Sequence, residues 1–282
     1  MDTLPFVKMH GLGNDFVVVD AREHTPAITP DLARAIADRH RGVGFDQLIV
    51  IERPADKDAD VFFRFYNSDG SEAGACGNGT RCVADRVMAE RGTDQLAIQT
   101  IAGALEATRK EDGRVTVDMG PARLDWREIP LAEACDTNAV PIELGPLAKP
   151  VATSMGNPHA TFFVPNAEAI ALDTLGPQLE HHKMFPQRAN IGVAQILSPE
   201  RMRLRVWERG AGITLACGSG ACAAGVAAIR RQLVAGRKVS IVVDGSVPGD
   251  PKSEIEIEWL RDGHVLMTGP TATSFSGIWP LR

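Results

Sequence analysis

Two cysteines stand in nearly the same phrase, ACGNG at 75–79 and ACGSG at 216–220. Cys76 and Cys217 each precede a Gly-x-Gly that opens a run of small residues with a helical pattern. A helix N-terminus carries unpaired N–H groups and a partial positive charge, so a thiol placed there ionises more readily. Two such thiols, one from each half of a chain, suit one chemistry. One removes a proton from a face of a carbon and the other returns a proton to the opposite face. The N–H groups of Gly77, Asn78, Gly218 and Ser219 belong to the same helix ends and suit a carboxylate. A carboxylate held there also stabilises negative charge developing on the adjacent α-carbon. That help is needed, because a free thiol has a pKa near ~8.5 and an α-proton is far less acidic.

A single cysteine before a helix is ordinarily a small buried hydrophobe. The matched pair lifts Cys76 and Cys217 above that default. Cys82 and Cys222, inside the helices, and Cys135 read as packing residues.

The elements that must position the thiols repeat along the chain. Gly13-Asn14 matches Gly156-Asn157, and a helical stretch at 31–40 matches one near 174–183. Gln47, heading QLIVIE, matches Asn190, near IGVAQIL. VFFRFYN aligns with RLRVWE, so Asn67 falls opposite Glu208. Hairpin signals follow at Asp112-Gly113 and Asp262-Gly263, and each copy ends in Gly-Pro, at 120–121 and 269–270. So ordered a register implies two copies of one α/β unit. The first spans 1–121, and the tail 271–282 returns to complete it. The second lies within 122–270, with 122–143 as a linker leading into it.

Within each copy the pattern is mostly strand, written in β-branched and aromatic runs. One helix follows each cysteine, about 77–91 stopped by Gly92, and about 218–235 stopped by Gly236. ACAAGVAAIRRQLVAG is apolar nearly all round, so sheet must wrap it. The expected fold is α/β (α+β), with two pseudosymmetric domains. Each is a mostly antiparallel sheet or barrel around a central helix, and the helix N-termini are expected where the halves meet.

The repeat breaks its own symmetry at one informative place. Where the first copy has Asn67-Ser68, the second has Glu208-Arg209. Adjacent opposite charges among amides (Asn14, Gln47, Asn67, Asn157, Asn190) can bind an ammonium and a carboxylate. If the helix ends serve one carboxylate, this pair implies a substrate with a second amino-acid head. The bland alternatives are a surface ion pair worth little and amides that merely satisfy strand ends.

Composition excludes several classes. The net charge is −6 with scattered basic residues, which argues against a nucleic-acid partner. No apolar run approaches the ~20 residues of a membrane span, and the N-terminus lacks signal-peptide character. Five cysteines without zinc spacing predict thiols in a reducing cytoplasm and no metal.

NSDGSEAGACGNGTR (67–81) resembles the signature of the diaminopimelate epimerase family, a group of cofactor-independent amino-acid racemases and epimerases. KMHGLGNDF (8–16), GNPHATFF (156–163), ERGAGITLACGSGACAA (208–224) and MTGP (267–270) resemble the rest, so the likeness covers essentially the whole chain. It implies conversion of LL- to meso-2,6-diaminopimelate in lysine and peptidoglycan precursor synthesis, without pyridoxal phosphate or any other cofactor. It implies a cytoplasmic homodimer. Cys76 and Cys217 would be the catalytic acid and base. For LL to meso, Cys217 reads as the acceptor and Cys76 as the donor. The implied substrate contacts in the first copy are Asn14, Gln47, Asn67, Gly77 and Asn78. In the second they are Asn157, Asn190, Glu208, Arg209, Gly218 and Ser219. His159 and Glu208 would influence which thiol is ionised. Two positions depart from the family: Ile213 stands where Glu is common, and Phe275 where Tyr is frequent in the dimer contact.

Two rivals are weighed. A proline racemase or hydroxyproline epimerase shares the design, but its one-headed substrate leaves Glu208-Arg209 idle. A redox or binding protein could join Cys76 and Cys217 in a regulatory disulfide, although redox pairs usually lie close in sequence.

Overall fold

A computed structural model of the chain describes residues 3–23 and 27–281. The chain divides into two compact units. One runs to Val117 and resumes at Gly269; the other is Asp118–Thr268.

The strands of the first unit are β1 (Thr3–Gly11), β2 (Asn14–Asp20), β3 (Gln47–Glu52), β4 (Val61–Asn67), β5 (Glu72–Ala73), β6 (Gln95–Thr100), β7 (Gly103–Arg109) and β8 (Val115–Pro121). Helix α1 (Pro30–Ala37) crosses from β2 to β3, and α2 (Gly77–Arg91) leads into β6. β1–β2, β3–β4, β6–β7 and β7–β8 pair antiparallel, whereas the two helical crossovers make β2–β3 and β4–β6 parallel. The runs FVVV and LIVI show no alternation because both faces are covered. Val17, Val19, Leu48 and Val50 pack with Ala33 and Ile36 of α1. Phe16 and Ile49 lie against α2, where a Cβ built on Gly79 meets both.

Helix α2 packs on β1, β2, β3, β6 and β7. It is stopped where the sequence predicts: Gly92 is left-handed at φ +66° and its N–H bonds Met88 O. Its buried Val83, Val87 and Met88 each contribute about 1.5–3 kcal/mol.

The second unit contains β9 (Glu143–Leu144), β10 (Leu147–Ala148), β11 (Val151–Ser154), β12 (Pro158–Phe163), β13 (Asn190–Ser198), β14 (Arg201–Glu208), β15 (Gly212–Ile213), β16 (Lys238–Val242), β17 (Ile255–Trp259) and β18 (His264–Gly269), with α3 (Leu172–Glu180) and α4 (Gly218–Arg230). From β11 to β18 the pairing repeats the first unit strand for strand. It runs antiparallel, parallel across α3, antiparallel, parallel across α4, then antiparallel twice. The two Asp-Gly signals close hairpins with the same bonds. Lys110 N–H bonds Arg114 O as Leu260 N–H bonds His264 O, with Gly113 and Gly263 at positive φ. Helix α4 packs on β11, β12, β13, β14, β16 and β17, so a helix apolar all round is wrapped by sheet.

The structure departs from the sequence reading in two places. Helix α4 ends at Arg230, not near residue 235. Gln232 turns left-handed at φ +56°, and the N–H of Leu233 closes on Ala228 O. The Arg231 guanidinium, bonded to Asn138 O, fixes the chain there before Gly236 is reached. Residues 122–143 are also no loose linker. Ile129, Leu131, Val140 and Ile142 enter the core beside Phe162 and Ile191. Arg123 bridges to Ser154 on the free edge of β11. The corresponding edge in the first unit, that of β1, is covered by β19 (Ala272–Pro280), whose register runs from Thr3↔Pro280 to His10↔Ala272.

No helix among the described residues is long and apolar enough to cross a membrane.

Candidate active site

Each cysteine is the N-cap of its unit's central helix. Cys76 has extended backbone (φ −144°, ψ 113°) and its Sγ accepts from Gly79 N–H at 3.4 Å. Cys217 has φ −110° and ψ 108°, and its Sγ accepts from Gly220 N–H at 3.4 Å. Sulfur thus takes the place of the usual Ser or Asp cap oxygen. A thiolate is a better acceptor than a thiol, so the cap and the helix dipole both favour ionisation. Gly77, Asn78, Gly218 and Ser219 supply the first two N–H groups of each helix, ahead of the first bonds from Thr80 and Ala221.

The two thiols differ in their surroundings. Cys76 is half-buried. Cys217 is 4% exposed, and burial followed by the Glu208 carboxylate pushes its thiol well above the ordinary range. The bonds from Gly220 N–H and the Ser219 hydroxyl oppose that rise without cancelling it. Glu208, at the end of β14, also accepts from Thr214 Oγ1 at 2.5 Å. His159 is buried and held down to about 3, by burial first and Arg209 second, so its imidazole is neutral at ordinary pH. With Asn157 Oδ1 2.9 Å from His159 Nε2, the imidazole donates to the amide. Asn157 Nδ2 donates to Ser219 Oγ at 3.4 Å, and Ser219 Oγ lies 3.7 Å from Cys217 Sγ. A polar chain therefore joins His159 to Cys217. At the corresponding position of the first unit the residue is Phe16, fully buried, so His159 has no counterpart at that position.

In the first unit, β2, β3, β4 and α2 bring Asn14, Gln47, Asn67 and Cys76 to one end of the sheet. Gln47 faces Asn67 across the β3–β4 ladder and donates to its Oδ1 at 3.0 Å; Asn67 donates to Ser71 Oγ at 3.1 Å. Gln47 Oε1 is buried with no partner among the described residues, an acceptor suited to an ammonium. Asn14 opens β2 after a two-residue turn in which Leu12 (φ +56°) and Gly13 (φ +85°) are both left-handed. Asn78 donates to Asn14 Oδ1 at 3.1 Å.

In the second unit, His159 faces Asn190 across β12–β13, with Asn157 and Glu208 at the same end of the sheet. Asn190 is 3% exposed. Its carboxamide donates to Pro158 O and accepts from Arg209 N–H at 2.9 Å, so it holds the Arg209 backbone in place. Arg209 itself is exposed, with Nη1 on Gln187 O. Of the expected positions, Asn14, Gln47, Asn67, Asn78, Asn157 and Asn190 all have amides bonded to other protein groups, while Glu208, Ser219 and Asn157 gather towards Cys217. Four further participants were not picked out from sequence. Thr214 and Ser71 are ordinary surface-type residues in ordinary loops. Asp46, which accepts from Asn14 Nδ2, lies one residue before Gln47. Arg81, which donates to Asn78 Oδ1, stands in the sequence only as the last residue of the 67–81 signature. Among the described residues no group of His, Cys, Asp or Glu could hold a metal ion.

A family model described as diaminopimelate epimerase matches residues 6–124 and 151–273. A diaminopimelate epimerase of Rhodospirillum centenum is 58% identical over 272 residues, covering 96% of this chain and 91% of that protein. One of Acidiphilium cryptum is 56% identical over 273 residues, covering 97% and 95%. Among solved structures, a phenazine biosynthesis protein of Bacillus anthracis matches with a TM-score of 0.70 at 16% identity, covering 100% of both chains. A hydroxyproline epimerase from Agrobacterium vitis, with bound trans-4-hydroxy-L-proline, gives 0.67 at 14% identity over 99% and 91%. At such identities the two structures speak to the fold alone.

Proposed function

The chain belongs to the diaminopimelate epimerase family, a family of isomerases, and we propose from that premise that Cys76 and Cys217 invert one α-carbon of LL-2,6-diaminopimelate to give the meso form. The observation that carries this reading is the shared role of the two thiols as sulfur N-caps of the central helices, one in each unit. In the proposed step, the thiolate takes the α-hydrogen as a proton and the C–H electrons remain on carbon. The substrate carboxylate, bound at the helix N-termini, spreads that charge towards fixed N–H donors. The other cysteine gives its S–H proton to the opposite face. The two cysteines end with exchanged protonation states and unchanged total charge, so the reverse reaction uses them in swapped roles.

For LL to meso we assign Cys217 as acceptor. Burial and Glu208 keep Cys217 protonated, so this direction requires its proton to pass to the Glu208 carboxylate first. Thr214 and the helix end then hold the resulting pair. After product leaves, Glu208 releases that proton to solvent, the Cys76 thiolate takes one up, and the starting state is restored. Glu208 and Arg209, with the amides of Gln47, Asn67 and Asn157, are assigned to the charged heads of the substrate. The thiols and helix ends together supply acid, base and anion stabilisation, so the proposed reaction uses no pyridoxal phosphate. A cytoplasmic homodimer serving lysine and peptidoglycan precursor synthesis completes the proposal.

Incubation with LL-diaminopimelate in deuterated water, under reducing conditions and without added cofactor, tests it. Deuterium is expected at one α-carbon as meso product appears, and Cys76→Ala or Cys217→Ala is expected to abolish product. Turnover of proline instead, or near-normal rates in either variant, overturns the proposal.

A further inference from the structure

Arg81 lies in the second turn of α2 and is fully buried, an expensive place for a guanidinium. Gly11 and Gly269 make room for it: a Cβ on Gly11 stands 3.2 Å from its Nη2, and one on Gly269 stands 3.0 Å from its Cζ. Arg81 Nη1 donates to Asn78 Oδ1 at 3.0 Å. Asn78 Nδ2 donates to Asn14 Oδ1 at 3.1 Å, and Asn14 Nδ2 donates to Asp46 Oδ2 at 2.7 Å. These four side chains form one line of hydrogen bonds within the first unit.

The ends of the line give it a direction. A guanidinium can only donate and an ionised carboxylate can only accept. The two asparagines between them can be satisfied in one orientation only, each with its oxygen towards Arg81 and its nitrogen towards Asp46. Asp46 is itself held as an acceptor, since its Oδ1 takes a bond from Arg39 and its Oδ2 a second from Asp15 N–H. Turning either amide over sets donor against donor at one end and acceptor against acceptor at the other.

We propose that Arg81 and Asp46 are positioning residues, the donor-only and acceptor-only ends of a line that fixes which way the Asn14 and Asn78 amides face. This rests on the proposed epimerase reading, with Asn14 and Asn78 as the substrate contacts that the family resemblance implies. The remaining N–H and lone pair of the Asn14 amide then meet the substrate in fixed places, and ligand binding need not select between flipped forms. In the second unit Cys222 occupies the position equivalent to Arg81, so that position supplies no guanidinium there.

The experiment uses the full chain carrying Arg81→Lys, Arg81→Met or Asp46→Asn, with two readouts. The first is the side-chain amide NMR signals of Asn14 and Asn78 without substrate. They are expected to shift and broaden in Arg81→Met and Asp46→Asn and to recover in Arg81→Lys. The second is the kinetics with diaminopimelate. KM is expected to rise about tenfold, as for one lost charge-assisted hydrogen bond, with a smaller change in kcat. Asp46 is exposed, so Asp46→Asn decides the matter if Arg81→Met does not fold. Unchanged amide signals and unchanged KM in folded variants overturn the proposal. Shifted amide signals in a protein that never turns over diaminopimelate retain the orienting role and discard the substrate assignment.

Discussion

Gly79→Ala tests how tightly the first thiol is tied to the core. A Cβ at Gly79 stands 2.6 Å from Ile49 Cδ1 and 3.4 Å from ring atoms of both Phe16 and Phe65. Ordinary carbon contacts begin at about 3.5 Å, so the overlap with Ile49 is about 1 Å. Ile49, Phe16 and Phe65 are fully buried, and the Ile49 methyl has no solvent to swing into. Overpacking of this kind costs about 1–3 kcal/mol, against at most ~1 kcal/mol gained from alanine's better helix propensity. The net expectation is a loss of about 1–2 kcal/mol. Ile49→Val removes the offending methyl and alone costs about 0.5–1.5 kcal/mol. Combined, the new methyl occupies the space of the lost one, and the double variant should be more stable than Gly79→Ala alone. Urea unfolding followed by circular dichroism gives the cycle, with an expected coupling of about 1–2 kcal/mol. Turnover should follow the same order, because Gly79 N–H is the donor that caps Cys76. An additive cycle, or a Gly79→Ala protein as stable as the parent, refutes this account of the packing.

Glu208→Gln removes a carboxylate that raises the Cys217 thiol. Alkylation of Cys217, followed by mass spectrometry of its peptide, should reach half-maximal rate at lower pH than in the parent; an unmoved profile contradicts that electrostatic role. Asp15 gives an acid-stability prediction. Burial pushes its carboxyl up, but hydrogen bonds from Arg39 and Lys8 outweigh this and hold it at about 2, against 3.8 for the free group. A depressed carboxyl stabilises the fold above its unfolded value and stops doing so as pH falls through the folded one. Allowing for screening, about 1–2 kcal/mol should be lost between roughly pH 4 and pH 2. Asp15→Asn should flatten that part of the stability curve, and an identical acid limb in both proteins counts against the prediction.

Much of this was readable because the chain states its unit twice. QLIVIE and VFFRFYN match β3 and β4, and the helix after Cys76 spans the residues the sequence predicts. What escaped has physical causes. The apolar pattern of β1 is interrupted by Pro5 and by Lys8, whose ammonium is buried against Asp15 and the carbonyl of Gly44. β19 is foreseen only as a returning tail, because most of its residues are exposed and its small residues leave no apolar period that fixes the strand's register. The end of α4 is set by Arg231 reaching carbonyls of residues far away in sequence, which no local pattern records. At the site the cysteines could be found from their spacing. Their sulfur caps, the polar chain from His159 and the line from Arg81 to Asp46 depend on distances that only the folded chain supplies. Arg81 in particular looks like a solvated helix residue until Gly11 and Gly269 are seen to make room for it.

The pairing of Thr3 with Pro280 has a consequence for how the chain comes off the ribosome. The second unit is continuous in sequence and can finish folding while β19 is still being made. The first unit cannot, and β1 waits with an open edge for more than two hundred residues of synthesis. At the ~5–20 residues per second of translation that wait is tens of seconds, long enough for an unprotected edge to pair with another chain. Pro5 and Lys8 lie on that strand and are the residue types that discourage such pairing. The features that hid β1 from a pattern search also guard it until its partner arrives.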